Sequence, residues 1–328
     1  MAQSLMPIGI IKAGLIASFF VLVSACGTAP QTLALTTNPP DYIPQQSAID
    51  SVPFFAQEKY FCGPTVLAEV FNYYGKDQTP EKLAPSIFIP GLEGSLQIEM
   101  TAAARKHQFL PYAKHSSLTQ LLALVSDDVP VIVLQNLSIP WIPAWHYAVV
   151  TGYDLKNQTI RLHSGEIKDY EMELSVFERT WQRSNFWLLA VVPPNHSSRH
   201  FDSFVYTKAA QDLIEIGQAK PGLMALEQAA GQWPKKWLAY FLLGNYYLQR
   251  DPMQAVKWYQ KGYTFGQQDA AYLNNFAYLM HQLGCDNEAQ QLISKALEIN
   301  SDDPNIQHSF DTISKSSSES VCSIDFVL

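Results

Sequence analysis

The 328-residue chain is poor in charge and in cysteine: 16% of its residues are Asp, Glu, Lys or Arg, and cysteine occurs four times. It has no basic excess, with 22 Lys+Arg against 30 Asp+Glu and a formal net charge of −8. No basic patch breaks that balance, which argues against a nucleic-acid partner. No glycine-rich phosphate loop appears, and nothing in the sequence calls for a metal or another cofactor. The apolar run Ala13–Val23 is too short for a comfortable membrane span. What is present is an ordinary globular composition, 47% hydrophobic, in a chain long enough for two domains of ~100–200 residues each.

The first 25 residues read as a signal peptide, with one basic residue, Lys12, ahead of the apolar run. The run ends in "LVSAC", with Ser24, Ala25 and Cys26 in register. This resembles the lipobox of bacterial lipoproteins. The resemblance implies that Cys26 is lipidated and becomes the mature N-terminus. Gly27 follows it rather than an acidic residue, which implies sorting to the outer membrane, with the protein facing the periplasm. Loss of Lys12 makes the mature chain one charge more negative. With Cys26 assigned to lipid, Cys62, Cys285 and Cys322 remain in an oxidising compartment. Cys285 and Cys322, both late in the chain, are the candidates for a disulfide, which leaves Cys62 free.

Composition divides the mature chain. Residues 26–50 include "GTAPQTLALTTNPPDYIPQQSAID", rich in Pro, Thr and Gln, and read as a lipidated, extended tether. Fully stretched, it would reach roughly 80 Å at ~3.3 Å per residue. "PPNHSSRH", Pro193–His200, reads as a break between a mixed α+β region, 51–192, and a helical one, 201–310. Residues 311–328 are serine-rich and read as a loose tail.

The stretch "QEKYFCGPTVLAEVFNYYG" sets a cysteine at the start of an amphipathic helix. Pro64 suits the first turn, Val66, Leu67, Val70, Phe71 and Tyr74 recur at helical spacing, and Gly75 ends the run. Most free cysteines are buried and inert. At a helix N-terminus, however, unpaired N–H groups favour the thiolate that attacks carbonyls. Downstream, residues 130–137, 146–154, 159–165 and 186–192 read as strands. His146 opens the second of these, where imidazole can take a thiol proton and return it to a leaving group. His107, His115 and His196 lie in polar stretches and read as solvent-facing.

"QEKYFCGPT" and "WHYAVVTGYD" with the strand that follows resemble the papain-like fold of bacterial double-glycine, or bacteriocin-processing, cysteine peptidases over about 51–192. The resemblance implies Cys62 as nucleophile and His146 as general base. It implies Gln57 as an oxyanion donor beside the Cys62 N–H, although Gln57 stands one position closer to the cysteine than in those relatives. Where the family carries Asp or Asn to orient the histidine, this chain offers His163 in "LHSG". Asp154, at the turn leaving the His146 strand, is the rival.

In the second block, "GLMALEQAAGQWP", "AVKWYQKGY" and "AQQLISKAL" recur with a period of 33 to 34 residues. This resembles three degenerate tetratricopeptide repeats, which bind peptides or partner proteins in a concave groove. A clamp for the first block, with no partner of its own, is the other reading. The fold class is thus an α+β papain-like cysteine peptidase domain followed by an all-α repeat domain. The function reads as a membrane-anchored cysteine peptidase acting on a peptide or protein, or a related amide-bond hydrolase or acyl-transfer enzyme, with repeats that recruit a substrate or partner. The alternative is a non-catalytic binding lipoprotein that retains the fold.

Overall fold

The computed structural model describes residues 29–56, 61–92, 94–139, 141–315, 322 and 324. The signal segment, Cys26 and Gln57 lie outside them, as does most of the tail after Lys315. Among the described residues no helix is long and apolar enough to cross a membrane.

The first half is built on one antiparallel sheet. Its strands are β1 (Gln46–Ala48), β2 (Leu110–His115), β3 (Val131–Asn136), β4 (Trp145–Asp154), β5 (Thr159–Ser164), β6 (Ile167–Glu173) and β7 (Trp187–Val192), in the order β2-β7-β3-β4-β5-β6. β1 pairs with the far end of β4, Gln46 opposite Asp154. The pleat sends alternate residues of β4 to opposite faces. Tyr147 and Val149 enter a core with α2 (Cys62–Tyr73), α3 (Pro80–Ile87) and α4 (Gln97–Lys106). Ala148 and Val150 enter a second core with α5 (Leu118–Ser126) and α6 (Leu174–Gln182). The edge strand β6 is exposed along nearly its whole length and carries Lys168, Asp169, Glu171 and Glu173. Such charges discourage pairing with another chain.

Residues 27–50, expected to be an extended tether, are structured from Ala29 on. Pro30–Thr37 form α1, and Ile43, Ile49 and Val52 are buried. The reason is a remote carboxylate. Glu178 of α6, itself fully buried, accepts from the backbone N–H groups of Gln31 (3.0 Å) and Thr32 (2.6 Å), capping the donors a helix start leaves unpaired. The Gln31 side chain in turn accepts from Leu118 N–H at the start of α5.

The second half comprises α7 (Ser203–Glu215), α8 (Ala219–Gln232), α9 (Leu238–Tyr247), α10 (Pro252–Gly266), α11 (Ala270–Gln282), α12 (Asp286–Ile299) and α13 (Pro304–Ser314). α7 packs on α8, α9 on α10, α11 on α12, and α13 closes on α12. The three recurring motifs fall on α8, α10 and α12. Close approach explains their small partners: a Cβ on Gly244 would stand 2.8 Å from the Tyr259 ring. A disulfide joins Cys285 to Cys322.

Pro193–His200 is not a loose break. Ser198 is buried and donates to Asp127, and the Tyr206 hydroxyl donates to His196 O at 2.8 Å. Asp202 N–H donates to the Tyr112 hydroxyl, and Arg105 pairs with Asp212 at 2.8 Å. One apolar core runs from the sheet through Tyr112 and Phe201 into Tyr206, Leu213, Leu226 and Leu243. The first helices of the second half are therefore part of the sheet's own packing, and a separate core begins only at α10.

Candidate active site

Cys62 is the first residue of α2, and the helix is buried from Gly63 to Phe71. Phe61 precedes it without a side-chain cap, so first-turn N–H groups stay available. The N–H groups of Tyr147, Gly63 and Cys62 itself point at the sulfur and favour thiolate, but burial outweighs them and pushes the Cys62 thiol above its usual range. The sequence expectation of a lowered thiol is thereby reversed. Gly63 is required locally, because a Cβ there would lie 2.6 Å from Ser95 Cβ.

His146 sits one residue from the Tyr147 amide that meets the sulfur. Its Nε2 is 2.9 Å from Ser164 Oγ, and burial pulls its imidazole below the ordinary histidine value. No hydrogen bond joins His146 to Cys62 among the described residues. Burial thus disfavours the charged form of each group. The alternation that carries Trp145 and Tyr147 to the Cys62 cleft turns His146 to the opposite face with Ser164, so His146 is not among the residues that line the cleft.

His163 does not orient His146. Val149 lies opposite His163, so His163 faces α2, where its Nδ1 is 3.2 Å from Glu69 Oε2 and both side chains are 2% exposed. Glu69 also accepts from Phe55 N–H at 3.0 Å, so this buried pair fastens α2, β5 and the segment before Gln57. Burial raises the Glu69 carboxyl, and the His163 bond works against that rise. Asp154 caps its own turn, accepting from Asn157 N–H and Nδ2. The residue the sequence reading missed is Ser164. One step along β5 from His163, it turns to the face shared by His146 and Ala148, diagonally across from the histidine. Strand alternation was the signal that could have found it.

Cys62 opens into a cleft of about 760 Å³ lined among others by Ser95, Leu96, His115, Trp145, Tyr147 and Arg183. His115, expected to be solvent-facing, is exposed yet belongs to this wall, its Nδ1 2.8 Å from Asn185 O. His107 is half-buried, and His196 is also half-buried, with its Nε2 covered and without a partner. Ser95 Oγ is buried without a protein partner at the cleft wall. Among the described residues, the grouping with metal-ligand spacing is Cys285, Glu288 and Cys322, whose sulfurs are tied up in the disulfide.

Residues 49–187 match the model of the Peptidase_C39 like family. No curated protein matches the chain. Among solved structures, the peptidase domain of Streptococcus ComA, a bi-functional ABC transporter involved in a quorum sensing pathway, is similar at 22% identity, covering 43% of this chain and 98% of that domain with a TM-score of 0.36. A putative C39-like peptidase from Bacillus anthracis is similar at 17% identity, covering 45% and 98% with a TM-score of 0.39.

Proposed function

We propose that this is a lipid-anchored cysteine peptidase of the bacterial envelope, held at the outer membrane through Cys26 and acting on a peptide or protein in the periplasm. The observation that carries the enzymatic reading is the Cys62 thiol at the start of α2, opening into a cleft with the N–H groups of Tyr147 and Gly63 directed at its sulfur. The match of residues 49–187 to a peptidase family supports it.

The chemistry starts from two groups whose charged forms burial disfavours. As Cys62 Sγ bonds to the scissile carbonyl carbon, its proton passes to the base we assign, His146, whose ring must turn from the Ser164 face toward the cleft to receive it, so no free thiolate accumulates. The developing oxyanion is met by the Cys62 N–H, with Gln57 as the second donor we assign. His146 then gives the proton to the departing amine as the C–N bond breaks. Water, deprotonated by the same imidazole, hydrolyses the thioester and frees the thiol. Ser164 holds the ring in its resting position, where its hydroxyl accepts from Nε2–H, but it steadies an imidazolium less than a carboxylate would.

We assign the helix pairs of the second half, read as tetratricopeptide-like, to recruiting a substrate or partner protein. Burial against the charged forms of Cys62 and His146, with the hydroxyl at Ser164, favours, as a second reading, a binding lipoprotein that has kept the fold. Comparing envelope peptides between cells carrying wild-type protein and Cys62→Ala decides between them. The peptidase reading expects an uncleaved precursor to accumulate in the variant, and identical peptide sets overturn it.

A further inference from the structure

The connection between β3 and β4 gathers exposed apolar side chains. Between Asn136 and His146 there is no charged residue. Within that stretch Trp141 is 78% exposed, Ile142 65% and Trp145 50%, with Ile139 also exposed. Trp145 reaches the wall of the Cys62 cleft, and Leu92 and Leu96 continue the apolar rim across its mouth. A patch of this kind on a folded protein marks a contact surface.

The route of the chain says what covers it. The loop base is gripped by Arg183, which donates to Asn136 O (2.7 Å) and Ser138 O (2.6 Å). Glu178, on the helix that Arg183 ends, holds the backbone of Gln31 and Thr32. The Gln31 side chain accepts from Leu118 N–H just beyond the end of β2, which runs parallel to β3 and so ends at the same edge of the sheet as the β3–β4 connection. From Pro30 back to Cys26 the chain can span at most ~14 Å. An acyl anchor on Cys26 would therefore hold this side of the domain at the bilayer, in place of the long leash expected from composition. Tryptophan with aliphatic neighbours and no charge is the composition that settles at the membrane–water interface.

We propose that Ile139, Trp141 and Ile142 seat in the phospholipid interface, so that the Cys62 cleft opens along the membrane surface. The inference rests on the anchoring part of the function proposed above and not on catalysis. The test uses the full lipidated chain in phosphatidylcholine vesicles containing dibrominated phosphatidylcholine, with tryptophan emission as the readout. Bromolipid should quench part of the wild-type emission, and that part should vanish in Trp141→Phe. In the full chain carrying Cys26→Ser, sedimentation with the same vesicles should show weak binding that falls roughly tenfold or more on adding Ile142→Ser. Emission untouched by bromolipid in the lipidated protein overturns the proposal. So does an untouched emission accompanied by weaker cleft labelling in Trp141→Phe and Ile142→Ser, which would give the loop to a peptide substrate. Mass of the Cys26 lipid, read on the same sample, separates failure of the anchoring reading from failure of the loop.

Discussion

Replacing Ser164 tests the site where sequence and structure disagree. In Ser164→Ala the 2.9 Å bond to His146 Nε2 is lost. A neutral hydrogen bond contributes about 0.5–1.5 kcal/mol net, so the rate of a His146-dependent reaction at Cys62 should fall roughly 2- to 12-fold at ~1.36 kcal/mol per decade. Ser164→Asp acts in the other direction. A carboxylate at that distance makes a charge-assisted bond about twice as strong as the neutral one, partly offset by the burial that now depresses the imidazole. The imidazole should rise to or above its ordinary value, and the acid limb of the rate should move up by about one pH unit or more. The assay is the pH dependence of Cys62 labelling by a peptidyl epoxide, whose ring opening needs a proton from the base. An acid limb in the same place for wild type and Ser164→Asp would refute the assignment of Ser164 as the orienting residue.

His163→Ala should act on stability instead: it removes one of the hydrogen-bond partners of the buried Glu69 carboxyl, a loss of about 1–3 kcal/mol read as a lower denaturant midpoint, while labelling of the folded fraction stays at the wild-type rate. For the wild type, alkylation of Cys62 by a neutral haloacetamide should climb through pH 9.0 rather than saturate near neutrality, because burial raises the thiol. Base-dependent labelling should hold down to below pH 6.5, because the folded imidazole is depressed and loses its proton at lower pH than a free one. Limited proteolysis should spare Pro193–His200, whose backbone and side chains are tied to Tyr206, Asp127 and Gln120; early cleavage there would contradict the shared core.

What was legible in the sequence was what neighbouring residues decide. The helix at Cys62 and four strands fall within a residue or two of the periodic runs that announce them, since alternation and 3.6-residue spacing are local signals. Illegible were features decided by distant partners. α1 forms because a carboxylate 146 residues away accepts from Thr32 N–H, and composition carries no trace of that. β6 was passed over because nearly every position is exposed and charged. β2 contains Pro111, tolerated because β2 is an edge strand. His163 was preferred to Ser164 on side-chain chemistry alone, although adjacent strand residues face opposite ways and only one of the two could meet His146. The thiol's direction depended on burial of the cleft wall, which no spacing reveals.

The central claim is that Cys62 is a nucleophile served by His146, and the ratio of two labelling rates tests it most directly. The peptidyl epoxide needs both the thiol and a proton from the base, whereas a haloacetamide needs the thiol alone. Intact-mass measurements at pH 7 should show one epoxide adduct on the wild type, absent in Cys62→Ala. The epoxide-to-haloacetamide rate ratio should drop about 10²-fold or more in His146→Ala, the scale of acid–base assistance by a positioned side chain. A ratio unchanged by His146→Ala would make Cys62 an ordinary buried thiol and contradict the account.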